Sequence, residues 1–203
     1  MKLLVIDECH YTRLGIIEFL KENTDILSID AVSIRGAINS LPVFHPDVIL
    51  VNLTNYGHYS EYSEYSEYSE QLKLLISSVN GARIYIYIDK PYPFNNTSIQ
   101  LTNKDFILSK KNLTTLLDRL KEMASYDIKC YFSNFNTHSS IFSHQENRVI
   151  YYWMLETDTH KIAKILKISN STVYSHKRHI IEKTGVSNKI ELLFIYNIFK
   201  YFC

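Results

Sequence analysis

Five short apolar runs punctuate the first 125 residues, and helix-like segments separate them. Lys2–Ile6 suits a buried parallel strand, and Ile26–Val32, Pro46–Val51, Arg83–Ile88 and Phe106–Leu108 read as four further strands. Between them, Tyr11–Lys21 carries Leu14, Ile17 and Leu20 at helical spacing, with Ile16 and Phe19 widening the stripe. Ile34–Leu41 reads as a helix that stops before Pro42. Gln71–Val79 places Leu72, Leu75, Ile76 and Val79 on one side, and Leu113–Met123 closes the series. Pro91–Thr102 holds at most a short helix. Strands that alternate with helices in this way predict a parallel sheet covered on both faces.

The remaining residues have a different character. The chain of 203 residues has a formal charge of only +1, but residues 1–137 hold 13 basic against 16 acidic side chains and residues 138–203 hold 9 against 5. Seven Lys or Arg lie between Thr159 and Lys189 with one acid, Glu182. Such a basic segment is the electrostatic footprint expected for nucleic acid, although a solvated helix face has the same composition. A boundary is expected near 126–137, with one domain over 1–125 and a second over 138–203. No run of about 18 apolar residues suggests a membrane span. Acids follow the first apolar run at once, which argues against a secretory leader. Cys9, Cys130 and Cys203 are odd in number and match no zinc spacing, so a reduced cytoplasmic protein without metal or cofactor is expected.

Residues 59–70 repeat Tyr-Ser-Glu four times. A three-residue step on a helix turns each tyrosine about 60° from the last, so the rings spiral and cannot form one buried stripe. The repeat is expected to be an exposed insertion, a loop or a frayed helix start.

In open parallel sheets the chemistry sits at the carboxyl ends of the strands. Here those ends carry Asp7-Glu8, Asn52, Ile88-Asp89 and Ser109-Lys110. The layout resembles the flavodoxin-like receiver domain of bacterial response regulators. That resemblance implies a magnesium-binding acidic pair, a phosphoryl-accepting aspartate, a Thr or Ser and a lysine at these four ends. The acceptor position holds Asn52, whose neutral amide cannot form an acyl phosphate. Strand four offers Asp89 and no hydroxyl, and Lys110 or Ser109 fits the lysine register. Asp7 and Glu8 are left as a relic acidic pocket, and the domain reads as a pseudo-receiver. The run Asp7-Glu8-Cys9-His10-Tyr11-Thr12-Arg13-Leu14-Gly15 further resembles the start of the RcsA-type auxiliary capsule regulators of enterobacteria. Those proteins act by pairing with a complete response regulator.

The last 65 residues carry the most specific pattern. Ser143-His144-Gln145-Glu146 is a capping box that opens a helix bearing Val149, Ile150, Trp153 and Met154. Asp158 can cap a helix over Thr159–Leu166, with Ile162, Ala163 and Leu166 inward. Ser169 can cap one over Ser171–Thr184, stopped by Gly185, and Ser187 can cap one over Asn188–Phe202. The wording, with Ile162-Ala163, Ile168-Ser169, Thr172-Val173, His176, Lys183, Gly185-Val186 and Glu191-Leu192, resembles the LuxR/FixJ/NarL-type helix-turn-helix domain. Glu156-Thr157-Asp158 stands where that family usually has a glycine turn.

With Val173, Ile180 and Ile181 taken as core, the third helix turns Tyr174, Ser175 and Arg178 outward as candidate base-edge contacts. Lys161, Lys164, Thr172, Lys177 and Lys183 are the candidate phosphate contacts. His176 reads as a structural helix residue. The last helix is apolar nearly all round, and the resemblance implies dimerisation through it, with Leu193, Tyr196 and Lys200 as contacts. The expected partners are double-stranded DNA and either a second copy or a response regulator, with no membrane. An enzyme is not expected, because no set of nucleophile, base and orienter is present. The alternative is an interaction protein that titrates a partner regulator without reading DNA.

Overall fold

The computed structural model describes residues 1–21, 25–55, 62–79, 81–89, 98–102, 104–125 and 141–202, and of 62–68 the backbone only. The chain divides into two compact units, Met1–His138 and Ser139–Cys203. The expected linker, 126–137, lies outside the described residues, as do Cys130 and Cys203.

The first unit runs β1 (Lys2–Ile6), α1 (His10–Leu20), β2 (Leu27–Ala31), α2 (Ile34–Phe44), β3 (Val48–Asn52), α3 (Tyr62–Ser78), β4 (Arg83–Ile88), β5 (Ile99–Gln100), β6 (Phe106–Ser109) and α4 (Leu113–Ser125). The strands order as β2-β1-β3-β4-β6-β5. All neighbours are parallel except β5, which pairs antiparallel with β6. Alternation along the strands builds the core. Leu3, Val5, Leu50, Tyr85, Tyr87 and Leu108 face α1 and α4, where Ile16, Leu20, Leu117 and Leu120 close over them. The intervening Leu4, Ile49, Val51, Ile84 and Ile86 are buried as completely. Each such side chain contributes roughly 1.5–3 kcal/mol by leaving water.

Four expectations need correction here. α2 does not stop before Pro42 but carries it inside the last turn. There a proline forfeits a single backbone bond, and His45 ends the helix in the left-handed region at φ 47° with its N–H on Leu41 O. α3 begins at Tyr62, within the Tyr-Ser-Glu repeat and not at Gln71, because the repeat contains no Gly or Pro to break it. The exposure of the tyrosines at 62–68 lies outside the described residues. Residues 99–100 form a short edge strand where at most a helix was expected. The stripe of α1 is also rotated: Leu14 is exposed, and Arg13 is buried beside Ile16 and Leu20.

The second unit is all helical: α5 (His144–Met154), α6 (Thr159–Leu166), α7 (Asn170–Thr184) and α8 (Lys189–Phe199). Both α5 and α6 pack against α7. Val149, Ile150, Ile162, Val173, Ile180, Leu192, Ile195 and Ile198 make its core, and Phe142 meets Phe199 edge to face at 4.7 Å. The expected capping box is present: Glu146 N donates to Ser143 Oγ and Ser143 N donates to Glu146 Oε2. Asp158 and Ser169 cap α6 and α7 as expected. Three expectations fail. Ile181 is exposed, because Thr184 and Ile180 already occupy the inward positions of that turn. Asn188, not Ser187, caps α8: its Oδ1 accepts from Glu191 N at 3.0 Å, while Ser187 N donates to Glu191 Oε2. α8 ends at Phe199, short of Phe202.

Candidate nucleic-acid interface

Two places in the fold concentrate polar side chains: the strand ends of the first unit and the outer face of α7 in the second.

At the strand ends the acidic pair is split. Asp7 is buried, and Glu8 is exposed with its Oε2 accepting from Asn55 Nδ2. The Asp7 carboxylate accepts three hydrogen bonds. Cys9 N reaches Oδ1 at 2.8 Å, and Asn52 Nδ2 and Tyr87 Oη reach Oδ2 at 3.0 and 2.5 Å. β1, β3 and β4 lie side by side, which brings these residues together from across the first unit. Asn52 is fixed in turn, since its Oδ1 accepts from Thr54 N and Thr54 Oγ1. Arg13 packs beneath: Nη1 donates to the carbonyls of Asp7 and Glu8, and Nε pairs with Asp30 at 2.7 Å. Lys110 turns to Asp89 at 3.2 Å, and Ser109 ends β6 with its Oγ accepting from Lys111 N. Burial raises the Tyr87 phenol well above its usual range, and the hydrogen bond to Asp7 adds to this. Cys9 is exposed, and the Thr12 side chain and backbone hydrogen bonds lower its thiol.

In the second unit, α6 ends at Lys167 in the left-handed region, φ 54°, and Ile168 N returns to Ala163 O. That tight stop sets the turn into α7, and Ser169 Oγ contacts the hydroxyls of Ser171 and Thr172. Tyr174, Ser175 and Arg178 all stand on the exposed face of α7, with Tyr174 63% exposed. Arg178 pairs loosely with Glu182 at 3.3 Å on the same helix, both side chains well exposed. Lys161 and Lys164 are exposed on α6.

The other two lysines differ from expectation. Lys177 is half-buried, 4.9 Å over the Trp153 ring, and donates to Thr159 Oγ1; burial lowers its pKa. Lys183 is committed inside the domain. Its Nζ donates to Glu146 Oε2 at 2.6 Å and to Ile141 O, so a phosphate contact would require breaking that pair. On α8, Leu193 is exposed and Tyr196 is half-buried, and the C-cap residue Lys200 is exposed. Ile190, 75% exposed and one turn before Leu193, adds to the exposed apolar face that the apolar character of this helix led one to expect, though it was not among the three expected contacts.

Comparison with known proteins gives these two places a family. Residues 2–130 match the model for the N-terminal dimerisation domain of the transcriptional regulator RcsA, and residues 140–195 match that of the bacterial regulatory proteins of the luxR family. The transcriptional regulatory protein RcsA of Erwinia amylovora is 24% identical over 200 residues, covering 93% of this chain and 90% of that protein. Among solved structures, that of two RcsB dimers bound to two parallel DNAs is 17% identical and covers 98% of both chains with a TM-score of 0.51. A structure of the RcsB–DNA complex is 19% identical over 98% of both chains, with a TM-score of 0.47. The first of these structural likenesses supports the fold. The chain belongs to the RcsA-type family of transcriptional regulators, with a receiver-like dimerisation domain followed by a helix-turn-helix domain of the luxR family.

Proposed function

We propose that this chain regulates transcription by binding DNA without phosphorylation of its own receiver-like domain, as a homodimer or as a heterodimer with a complete response regulator. The observation that carries the reading is the outer face of α7, where Tyr174, Ser175 and Arg178 are exposed on a helix whose inner side is locked by Val173 and Ile180. Arg178 can present a bidentate fork to guanine, and the Ser175 hydroxyl can donate or accept at a base edge. Lys161, Lys164 and Thr172 suit the phosphates that set the helix in its groove, with Lys177 held close by Trp153.

Phosphorylation independence rests on the strand ends. Asn52 offers an amide for the nucleophile, Asp89 replaces the sensing hydroxyl, and the Lys110 ammonium is drawn to Asp89. Asp7 already accepts three hydrogen bonds, leaving a divalent cation little lone-pair capacity there. Pairing through α8 is supported by the exposed apolar Ile190 and Leu193, with Tyr196 and Lys200 beside them. The cytoplasm is the compartment this activity implies.

The test is retardation of promoter fragments by the full chain, alone and with a partner regulator, with and without acetyl phosphate. Specific binding unchanged by acetyl phosphate is expected. Arg178→Ala should cost about 1–3 kcal/mol at its preferred base, and Lys164→Ala should weaken all sequences and lower the salt slope by about one. Tighter binding by the phosphodonor-treated chain alone would overturn the phosphorylation claim. Absence of specific binding under every condition would favour titration of a partner.

A further inference from the structure

Glu146, His176 and His179 lie together at the α5–α7 contact, with one ligand atom from each within 4.8 Å of the others. Glu146 is 4% exposed and reaches the site from the first turn of α5. His176 and His179 are three residues apart on α7 and therefore share a helix face. The Nδ1 of His176 is buried and has no hydrogen-bond partner among the described residues. His179 Nδ1 stands 4.0 Å from Glu146 Oε1, and the His179 side chain is 48% exposed. The other carboxylate oxygen, Oε2, is held by Lys183 Nζ and Ser143 N. Oε1 is left facing His179, with the His176 ring in the same cluster.

We propose that these three residues form a site for a borderline-soft divalent cation, zinc being the reference ion, which clips the recognition helix α7 to α5. Two imidazoles and one carboxylate are a donor set that zinc takes with an open fourth position. Tetrahedral coordination needs ligand atoms roughly 3.4 Å apart, so binding requires the three side chains to draw in from separations of up to 4.8 Å, with the half-exposed His179 free to turn. The hard ions magnesium and calcium are disfavoured, because two of the three donors are nitrogen. The Lys183 ammonium beside Oε2 opposes the ion's charge and weakens its binding. The set escapes a spacing search because Glu146 is distant in sequence from the two histidines.

The experiment is calorimetric titration of the full chain with zinc chloride after chelator treatment, paired with thermal melts. Because thiols also take zinc, the Cys9→Ser, Cys130→Ser, Cys203→Ser triple variant is titrated beside the wild type. One zinc per chain is expected in both, with a matching rise in Tm. His179→Gln, at a half-exposed position that leaves the fold intact, should weaken binding about tenfold or more. The His176→Gln, His179→Gln double variant should abolish both the binding and the Tm rise. The site is overturned if the triple cysteine variant binds no zinc, if His179→Gln binds as the wild type does, or if the wild type binds none at sub-millimolar zinc.

Discussion

The Tyr87 hydroxyl donates to Asp7 Oδ2 at 2.5 Å, joining the carboxyl-terminal part of β4 to the residue that follows β1. Tyr87 is completely buried, so both ends of this bond are dry. A buried carboxylate that loses a donor bears the desolvation penalty without compensation. Tyr87→Phe should therefore lower stability by about 1–3 kcal/mol, read as a lowered denaturant midpoint at unchanged slope.

The same bond gives an alkaline signature. The folded state holds the Tyr87 phenol above its usual range, first by burial and then by Asp7. The unfolded chain loses that proton from about pH 10 upward while the folded chain keeps it, so stability must fall as pH rises through that range. The Tyr87 contribution is fully present below pH ~10. Melts taken from neutral pH into this range should show a steeper decline for the wild type than for Tyr87→Phe. Parallel curves would contradict the burial argument.

Lys183 and Glu146 tie α7 to α5 at 2.6 Å, with the carboxylate buried and the ammonium 39% exposed. Lys183→Ala leaves the carboxylate with its capping bond from Ser143 but without its ammonium partner. The expected loss is about 1–2 kcal/mol, below the value for a fully buried pair because the lysine is partly solvated. Burial pushes the Glu146 carboxyl up, but Lys183 and Ser143 outweigh it and hold the group below its usual range. Its contribution is thus complete above the unfolded value of about 4.3 and is lost as pH falls through the folded one. Acid melts of the wild type and Lys183→Ala should converge as the carboxyl protonates.

Glu156 adopts φ 58° immediately after the α5 C-cap, with its N–H on Trp153 O and Thr157 N–H on Tyr152 O. A left-handed residue in a helix stop favours glycine, and a side chain there costs roughly 1 kcal/mol. Its compensation is one exposed ion pair with Lys189 at 3.0 Å, the kind of contact worth 0–1 kcal/mol. Glu156→Gly should raise the Tm of the second unit, and a lowered Tm would show that the Lys189 pair outweighs backbone strain.

That turn also shows what sequence can and cannot display. A missing glycine was visible at 156–158, but its replacement by a strained glutamate needs backbone angles. β1, β3 and β4 were legible because they are buried and read as nearly unbroken apolar runs, whereas β2 has only partly buried and exposed residues. The orientation of α1 was not, because Arg13 looks like a surface residue until Asp30 and the carbonyls of Asp7 and Glu8 supply its partners. The alternation Ile84-Tyr85-Ile86-Tyr87-Ile88 puts both tyrosines on one face, yet only register decides which hydroxyl meets Asp7. On α7 the exposed Tyr174, Ser175 and Arg178 followed from helical spacing alone. The inward commitment of Lys183 did not, since its partner lies on another helix.

Asn52 makes a bond that aspartate cannot make. Its Nδ2 donates to Asp7 Oδ2 at 3.0 Å, while its Oδ1 accepts from Thr54. Asn52→Asp keeps the shape and the Thr54 bonds but turns a donor into a second anion against a buried carboxylate. Like charges so close disfavour joint ionisation, so one of the two carboxyls titrates upward. The variant should be less stable than the wild type by about 1–3 kcal/mol at neutral pH, and acidification should recover the loss as the shared site gains a proton. The direction opposes what a restored phosphoryl acceptor would suggest. With Tyr87 still on Oδ2 and Asp89 in place of a hydroxyl, acetyl phosphate should leave DNA binding by Asn52→Asp unchanged. Denaturant melts across the acid range check the first expectation and gel retardation the second. An Asn52→Asp chain as stable as the wild type at pH 7 would show that Asp7 does not depend on the Asn52 amide.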